Sequence, residues 1–244
     1  MNGFFGAVQF LTRVGVPSGN YRLEAALVWF APVGLLLGCA LAGVDWGLRQ
    51  VQLAPLVASA LTIVLWLGLT GGLHADGLMD TCDAIFVHAS PVRRLEIMRD
   101  PHSGAFGVIG LVCVIILKVA ALDGLLAGIR PHTLILAPSL GRWSIVLLST
   151  VFPYGRETGL GAPLKAASGL RSLTIASLLP ALVCLVFWPL GPILAVLAVT
   201  TAWLLGRWLM RLLPGLTGDC YGAVCELVET VVLVGAAPIA HVLA

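Results

Sequence analysis

The 244-residue chain is 59% hydrophobic and only 11% charged, with a mean hydropathy of +1.01, too little polar surface for a water-soluble fold, so the bilayer is the expected solvent. Its formal charge of +2 excludes a nucleic-acid binder, which needs a clustered basic surface to neutralise phosphates. The six cysteines form no CxxC pair and fall in apolar runs or beside acidic motifs, so they are expected to be small core residues rather than disulfide partners or zinc ligands.

The opening MNGFFGAVQFLTR has no positive charge before its apolar stretch and no small-residue cleavage site after it, so it is not taken for a signal peptide. Phe4, Val8 and Leu11 recur at helical spacing and predict a short helix lying in the membrane interface. A spanning helix needs about 20 apolar residues. Ala25–Val44 and Leu53–Leu73 supply the first two, Ser103–Leu122 the third with Lys118 inside it, and Thr133–Tyr154 the fourth with Arg142 inside it. Ser172–Gly206 carries no charge and as one helix would run about 50 Å. The Pro189-Leu190-Gly191-Pro192 break divides it into two spans, and Tyr221–Ala244 is the seventh.

The fold class is therefore all-α: a polytopic integral membrane protein of about seven transmembrane helices plus short interfacial helices, one domain over residues 1–244. Among the interfacial helices is PVRRLEIM, with Leu95 and Met98 facing one way and Arg93, Arg94 and Glu96 polar. Gly34 and Gly38 permit close helix contact, expected inside the bundle, although an oligomer would use the same pair. Seven spans put the termini on opposite sides. Arg13, Arg22, Arg93, Arg94, Arg99, Arg156, Lys165, Arg171, Arg207 and Arg211 then share the N-terminal side, against Arg49 and Arg130 on the other. That split makes the N-terminal side cytoplasmic and the C-terminus exoplasmic.

The acids collect at the same side, except Asp45 and Asp123. Asp76, Asp80 and Asp83 in TGGLHADGLMDTCDA are spaced i, i+4, i+7 and share one helical face, beside Gly71, Gly72 and Gly77. Three hard carboxylates on one stripe suit Mg²⁺, which keeps positions for water and substrate phosphate. His74 precedes them. Arg99 and Asp100, ahead of Ser103, Gly104 and Gly107 at the start of the third span, mark a place where backbone can approach a phosphate. Arg142 lies mid-span, where a charge costs at least about 2.5 kcal/mol, so it must face a cavity or a partner, binding an anionic substrate or neutralising an acid. Lys118, nearer a helix end, is expected to snorkel to the interface. In PGLTGDCYGAVCELVE, Asp219, Glu226 and Glu229 project from the entry to the last span and suggest a second metal or substrate-binding edge.

At these residues the chain resembles the cobalamin synthases, also called adenosylcobinamide-GDP ribazoletransferases. The likeness rests on Thr70-Gly71-Gly72-Leu73-His74-Ala75-Asp76-Gly77-Leu78 with Asp80-Thr81-Cys82-Asp83, on Glu96-Ile97-Met98-Arg99-Asp100 with Gly104 and Phe106-Gly107, and on Thr217-Gly218-Asp219 with Gly222-Ala223 and Glu226 to Glu229. A weaker element is Arg156-Glu157 with Gly159-Leu160-Gly161. The chain departs from the family pattern at Pro101, His102, Ala84 and Ala105.

The resemblance implies that adenosylcobinamide-GDP and α-ribazole, or its 5′-phosphate, give adenosylcobalamin, or its 5′-phosphate, plus GMP, at the cytoplasmic face of the cell inner membrane. For that reaction the residues read above are expected to hold Mg²⁺ on Asp76, Asp80, Asp83 and Asp100, the catalytic acids, and to contact substrate through His74, Arg99, His102, Arg142, Arg156, Thr217, Asp219, Glu226 and Glu229. Two other readings compete. A CDP-alcohol phosphotransferase also sets aspartates on helices, but the spacing after Asp80 lacks its Ala-Arg pair. A cation-coupled transporter would gather its acids at the midplane rather than at one surface.

Overall fold

The computed structural model describes residues 2–156, 158–159 and 161–243, and among them the only regular elements are helices. In chain order these are α1 (Asn2–Leu11), α2 (Leu23–Ala26), which runs through a tight turn at Leu27–Trp29 into α3 (Phe30–Gln50), α4 (Pro55–Thr70), α5 (Leu73–Ile85), α6 (Pro91–Ile97), α7 (Ala105–Gly124), α8 (Arg130–Val151), α9 (Gly161–Ala167), α10 (Leu170–Val186), α11 (Leu190–Leu209) and α12 (Gly218–Leu243). Five stretches, Leu23–Gln50, α7, α8, α11 and α12, are long and apolar enough to cross a membrane. The pairs α4–α5 and α9–α10, bent by 91° and 97°, raise the number to as many as seven.

The uncharged stretch from Ser172 divides as expected but slightly earlier, with α10 ending at Val186 and α11 beginning at Leu190, so that of Pro189-Leu190-Gly191-Pro192 only Pro189 lies in the break. The second predicted span ends earlier than expected. Gly71 and Gly72 adopt φ of +62° and +69°, left-handed values that glycine reaches without a Cβ clash, and their N–H groups close α4 on the carbonyls of Gly68 and Leu67. The chain then leaves at a right angle as α5. The last helix starts at Gly218, ahead of the expected Tyr221, and the expected end at Ala244 lies outside the described residues.

α8 forms the centre, with 78% of its most apolar window buried against 22% for α7, so α8 meets protein where α7 meets lipid. Gly34 and Gly38 pack internally, as expected: a Cβ at either would stand 2.5 to 2.6 Å from backbone atoms of Pro138 or Ile135, so only glycine lets α3 approach α8 this closely. Outward positions such as Leu36, Val64, Ile116, Leu178 and Val196 are exposed, the pattern an apolar solvent allows. Both predicted short helices form. Ala7 and Leu11 bury one side of α1, and α6 is capped by the Ser90 hydroxyl accepting the Arg93 N–H at 3.3 Å, with Met98 turned inward just after it.

Candidate functional site

All three aspartates of the motif lie on α5, whose 13 residues span them. Asp76 is exposed and Asp80 and Asp83 are half-buried, while His74, Gly77, Leu78 and Thr81 bury the opposite side. Two glycines then decide what faces them. A Cβ on Gly77 would sit 2.8 Å from the Asp219 carbonyl oxygen, and one on Gly222 would sit 3.2 Å from the His74 Cα. α5 and α12 therefore touch backbone to backbone, and Asp219 joins the acids of α5. Thr217 holds Asp219 in place: its hydroxyl donates to the Asp219 carboxylate at 3.2 Å and accepts the Cys220 N–H at 3.3 Å, capping α12.

Arg156 reaches the same carboxylate, Nη1 to Oδ2 at 2.9 Å. Its loop is fixed by pairing with the segment before α12: the Gly155 N–H donates to the Leu216 carbonyl at 2.8 Å and the Leu216 N–H to the Pro153 carbonyl at 2.9 Å. Glu157 and Leu160, which follow Arg156 in the weaker element of the resemblance, lie outside the described residues. Between α5, α9 and α12 lies a cavity of about 90 Å³ with two kinds of wall. Asp76, Asp219, His74 and Tyr221 border it on one side, and Phe10, Leu73, Ile145 and Leu164 give it apolar surface. Among the described residues, His74 Nε2, the Tyr221 hydroxyl and Arg156 Nε and Nη2 are buried without a hydrogen-bond partner. Such groups carry a desolvation cost until a ligand meets them.

Other expected site residues stand elsewhere. Asp83 accepts the Gly104 N–H at 2.7 Å on one oxygen and the Gly107 N–H at 2.8 Å on the other. The start of α7 is thus closed by a carboxylate of the protein and is not open to a phosphate, which corrects the expectation for Gly104 and Gly107. The signal was present in the sequence: α7 begins at a glycine with no capping side chain, so its orphan N–H groups needed an acceptor from elsewhere. Asp100 and Arg99 are exposed. Asp100 accepts from the His102 backbone at 3.0 Å and contacts its Nδ1 at 2.7 Å, and these hydrogen bonds hold its carboxyl below the ordinary carboxylate range. Asp76, Asp80, Asp83 and Asp100 do not converge, and no group of three or more His, Cys, Asp or Glu among the described residues is arranged to hold a metal ion by itself.

Arg142, Glu226 and Glu229 lie away from this face. They are 1%, 4% and 0% exposed, and Lys118, at 3%, lies with them rather than snorkelling to the interface. Lys118 Nζ stands 2.5 Å from an oxygen of each glutamate, and Arg142 pairs with the other oxygen of Glu229. The ammonium also sits 4.5 Å from the centre of the Trp66 ring. The two glutamates are thus no substrate-binding edge, because ions in an apolar core need opposite charge at contact distance and take it from the nearest helices. Of the two roles open to Arg142, neutralising an acid is the one realised. All six cysteines are free; Cys82, Cys184, Cys220 and Cys225 are buried as expected of core residues, whereas Cys39 and Cys113 are exposed on outward helix faces, which corrects that expectation for these two.

The profile of the cobalamin-5-phosphate synthase family matches residues 3–237. Curated relatives named adenosylcobinamide-GDP ribazoletransferase are similar over nearly their whole length. The one from Desulforamulus reducens is 43% identical over 93% of this chain and 92% of its own, and the one from Stutzerimonas stutzeri 39% identical over 95% and 96%. That from Synechocystis is 37% identical over 94% and 92%. No solved structure matches. An all-helical membrane fold, the acid-bearing α5 against α12, and a family match across almost every residue agree: the chain belongs to the cobalamin-5-phosphate synthase family.

Proposed function

We propose that the chain joins adenosylcobinamide-GDP to α-ribazole, or to α-ribazole 5′-phosphate, releasing GMP and adenosylcobalamin or its 5′-phosphate. The observation that supports this most directly is the contact of Gly77 with Asp219, which brings Asp219 and its partner Arg156 to the acid-bearing α5, at a cavity lined by Asp76, Asp219, His74 and Tyr221, with polar atoms of His74, Tyr221 and Arg156 buried and unpartnered. The acceptor's ribose hydroxyl forms a bond to the cobinamide-side phosphorus as the diphosphate P–O bond breaks. The hydroxyl proton is released, and GMP leaves with the bridging oxygen. In-line transfer of this kind depends on positioning and on neutralising phosphate charge.

Arg156 keeps two N–H donors for phosphate oxygens while Asp219 and Thr217 hold its position. His74 and Tyr221 offer unpaired polar atoms for orienting the acceptor, and the apolar side at Phe10 and Leu164 keeps water from competing. Asp76 and Asp80 would hold Mg²⁺, because they are oxygen donors one turn apart and Mg²⁺ commonly uses one or two carboxylates with substrate phosphates for the remainder. Bound there, Mg²⁺ supplies positive charge against the diphosphate.

Purified protein given adenosylcobinamide-GDP, α-ribazole 5′-phosphate and Mg²⁺ is expected to yield GMP and the cobamide in equal amounts, and a chelator to stop it. Absence of both products would refute the reaction; turnover unchanged by the chelator would refute only the metal. The site faces the cytoplasm from the cell inner membrane, as the basic residues sort. A C-terminal fluorescent protein that matures only in the cytoplasm should stay dark, and a bright fusion would reverse the assigned orientation.

A further inference from the structure

Lys118 and its partners have no place in the chemistry above, yet they join the helices that form the site. α12 carries Asp219, Gly222, Glu226 and Glu229 at i, i+3, i+7 and i+10, a single stripe along the helix. The upper end of the stripe meets α5, where Gly222 abuts His74. Its lower end meets Lys118 of α7 and Arg142 of α8. Lys118 also holds the Trp66 ring, four residues before the end of the helix that bends into α5. His74 Nδ1 lies 3.6 Å from the Cys225 sulfur, which lies 3.7 Å from Glu229, so polar contact runs unbroken from the cavity to the ion cluster.

Two cations and two carboxylates make the cluster neutral. Buried ion pairs contribute little net stability compared with apolar residues of the same volume, but they specify register, since a slipped arrangement leaves a charge unpaired. Glu226 and Asp219 are seven residues apart on one rigid helix, roughly 10 Å at the helical rise, so displacement of one carries the other. Arg142 adds a constraint of its own: Nη1 also donates to the Pro138 carbonyl of its own helix at 3.4 Å, while Nε and Nη2 have no partner among the described residues, so Glu229 is the contact that ties it to another helix.

We propose that Lys118, Glu226, Glu229 and Arg142 are positioning residues: the quartet locks α12 and α4 to α7 and α8 in one register and thereby sets Asp219 and Arg156 against the aspartates of α5. This rests on the reading of the acidic face as the reaction site. A quartet that only stabilised the fold would be replaceable by any neutral, volume-matched pair, whereas a register lock would not.

The double variant Lys118→Met with Glu226→Gln keeps the volume and leaves Arg142 with Glu229, so the cluster stays neutral. Its unfolding midpoint in detergent is expected within a few degrees of the parent, with kcat at least about tenfold lower and KM for both substrates within about twofold. Glu226→Asp, which keeps every charge and withdraws one by a methylene, should lower kcat severalfold with the same KM values. Lys118→Arg, which restores the cation, should recover activity lost in Lys118→Met. Parental kcat in the double variant, or in Glu226→Asp should the double variant fail to fold, overturns the proposal. A parent protein that forms no cobamide in the same assay would instead refute the functional reading, while the stability measurements would still report on the quartet.

Discussion

Two groups of charges stand two helical turns apart on α12, and they obey opposite rules. Around Glu226 and Glu229 every carboxylate has a cation in contact and all four side chains are nearly inaccessible. Around Asp76, Asp80 and Asp219 the acids outnumber their cation, Arg156, and that cation keeps buried donors without partners. The first group is complete and binds its helices together. The second carries an excess of acid, with like charges held close by helix geometry, and it is the group to which the proposed reaction assigns phosphate and Mg²⁺.

The largest expected effect comes from breaking the complete group. Arg142→Leu leaves two buried glutamates sharing Lys118, and removal of one partner from a buried pair costs about 3–5 kcal/mol. The unfolding midpoint in detergent should fall by many degrees and recover when Glu229→Gln is added. A single variant with the parental midpoint would place that pair among the weak ones.

The acid-rich group should respond in rate instead of stability. Asp76→Asn and Asp80→Asn each keep the side-chain shape and remove one negative charge, and turnover is expected to drop at least about a hundredfold, roughly 2.7 kcal/mol of barrier. The fold should hold, because fewer like charges on α5 means less repulsion. Undiminished turnover in both variants would remove these residues from the chemistry.

Asp83 sharpens the boundary between the groups, since it belongs to the acidic motif yet caps α7. Asp83→Ala should cost about 1 kcal/mol of stability, the usual size of a lost cap, read as a small fall in the unfolding midpoint. A loss of turnover as large as that of Asp80→Asn, with the midpoint intact, would return Asp83 to the catalytic set.

Amino-acid order by itself determined the class of fold, the apolar stretches, a break close to Pro189 and the common face of Asp76, Asp80 and Asp83, but not the right-angle bends after α4 and α9, because hydropathy and the 3.6-residue period are local quantities. It also required that Arg142 face a cavity or a partner, since lipid offers neither. Which partner was settled only in three dimensions. Glu229 meets Arg142 from 87 residues away and Lys118 from 111, and both pairings depend on helix directions that no window of sequence contains. Asp83 turning to the start of α7, and Asp219 arriving beside α5 through Gly77, are decisions of the same kind. Close backbone approach fixes where helices cross, and only then does each charge acquire its nearest neighbour.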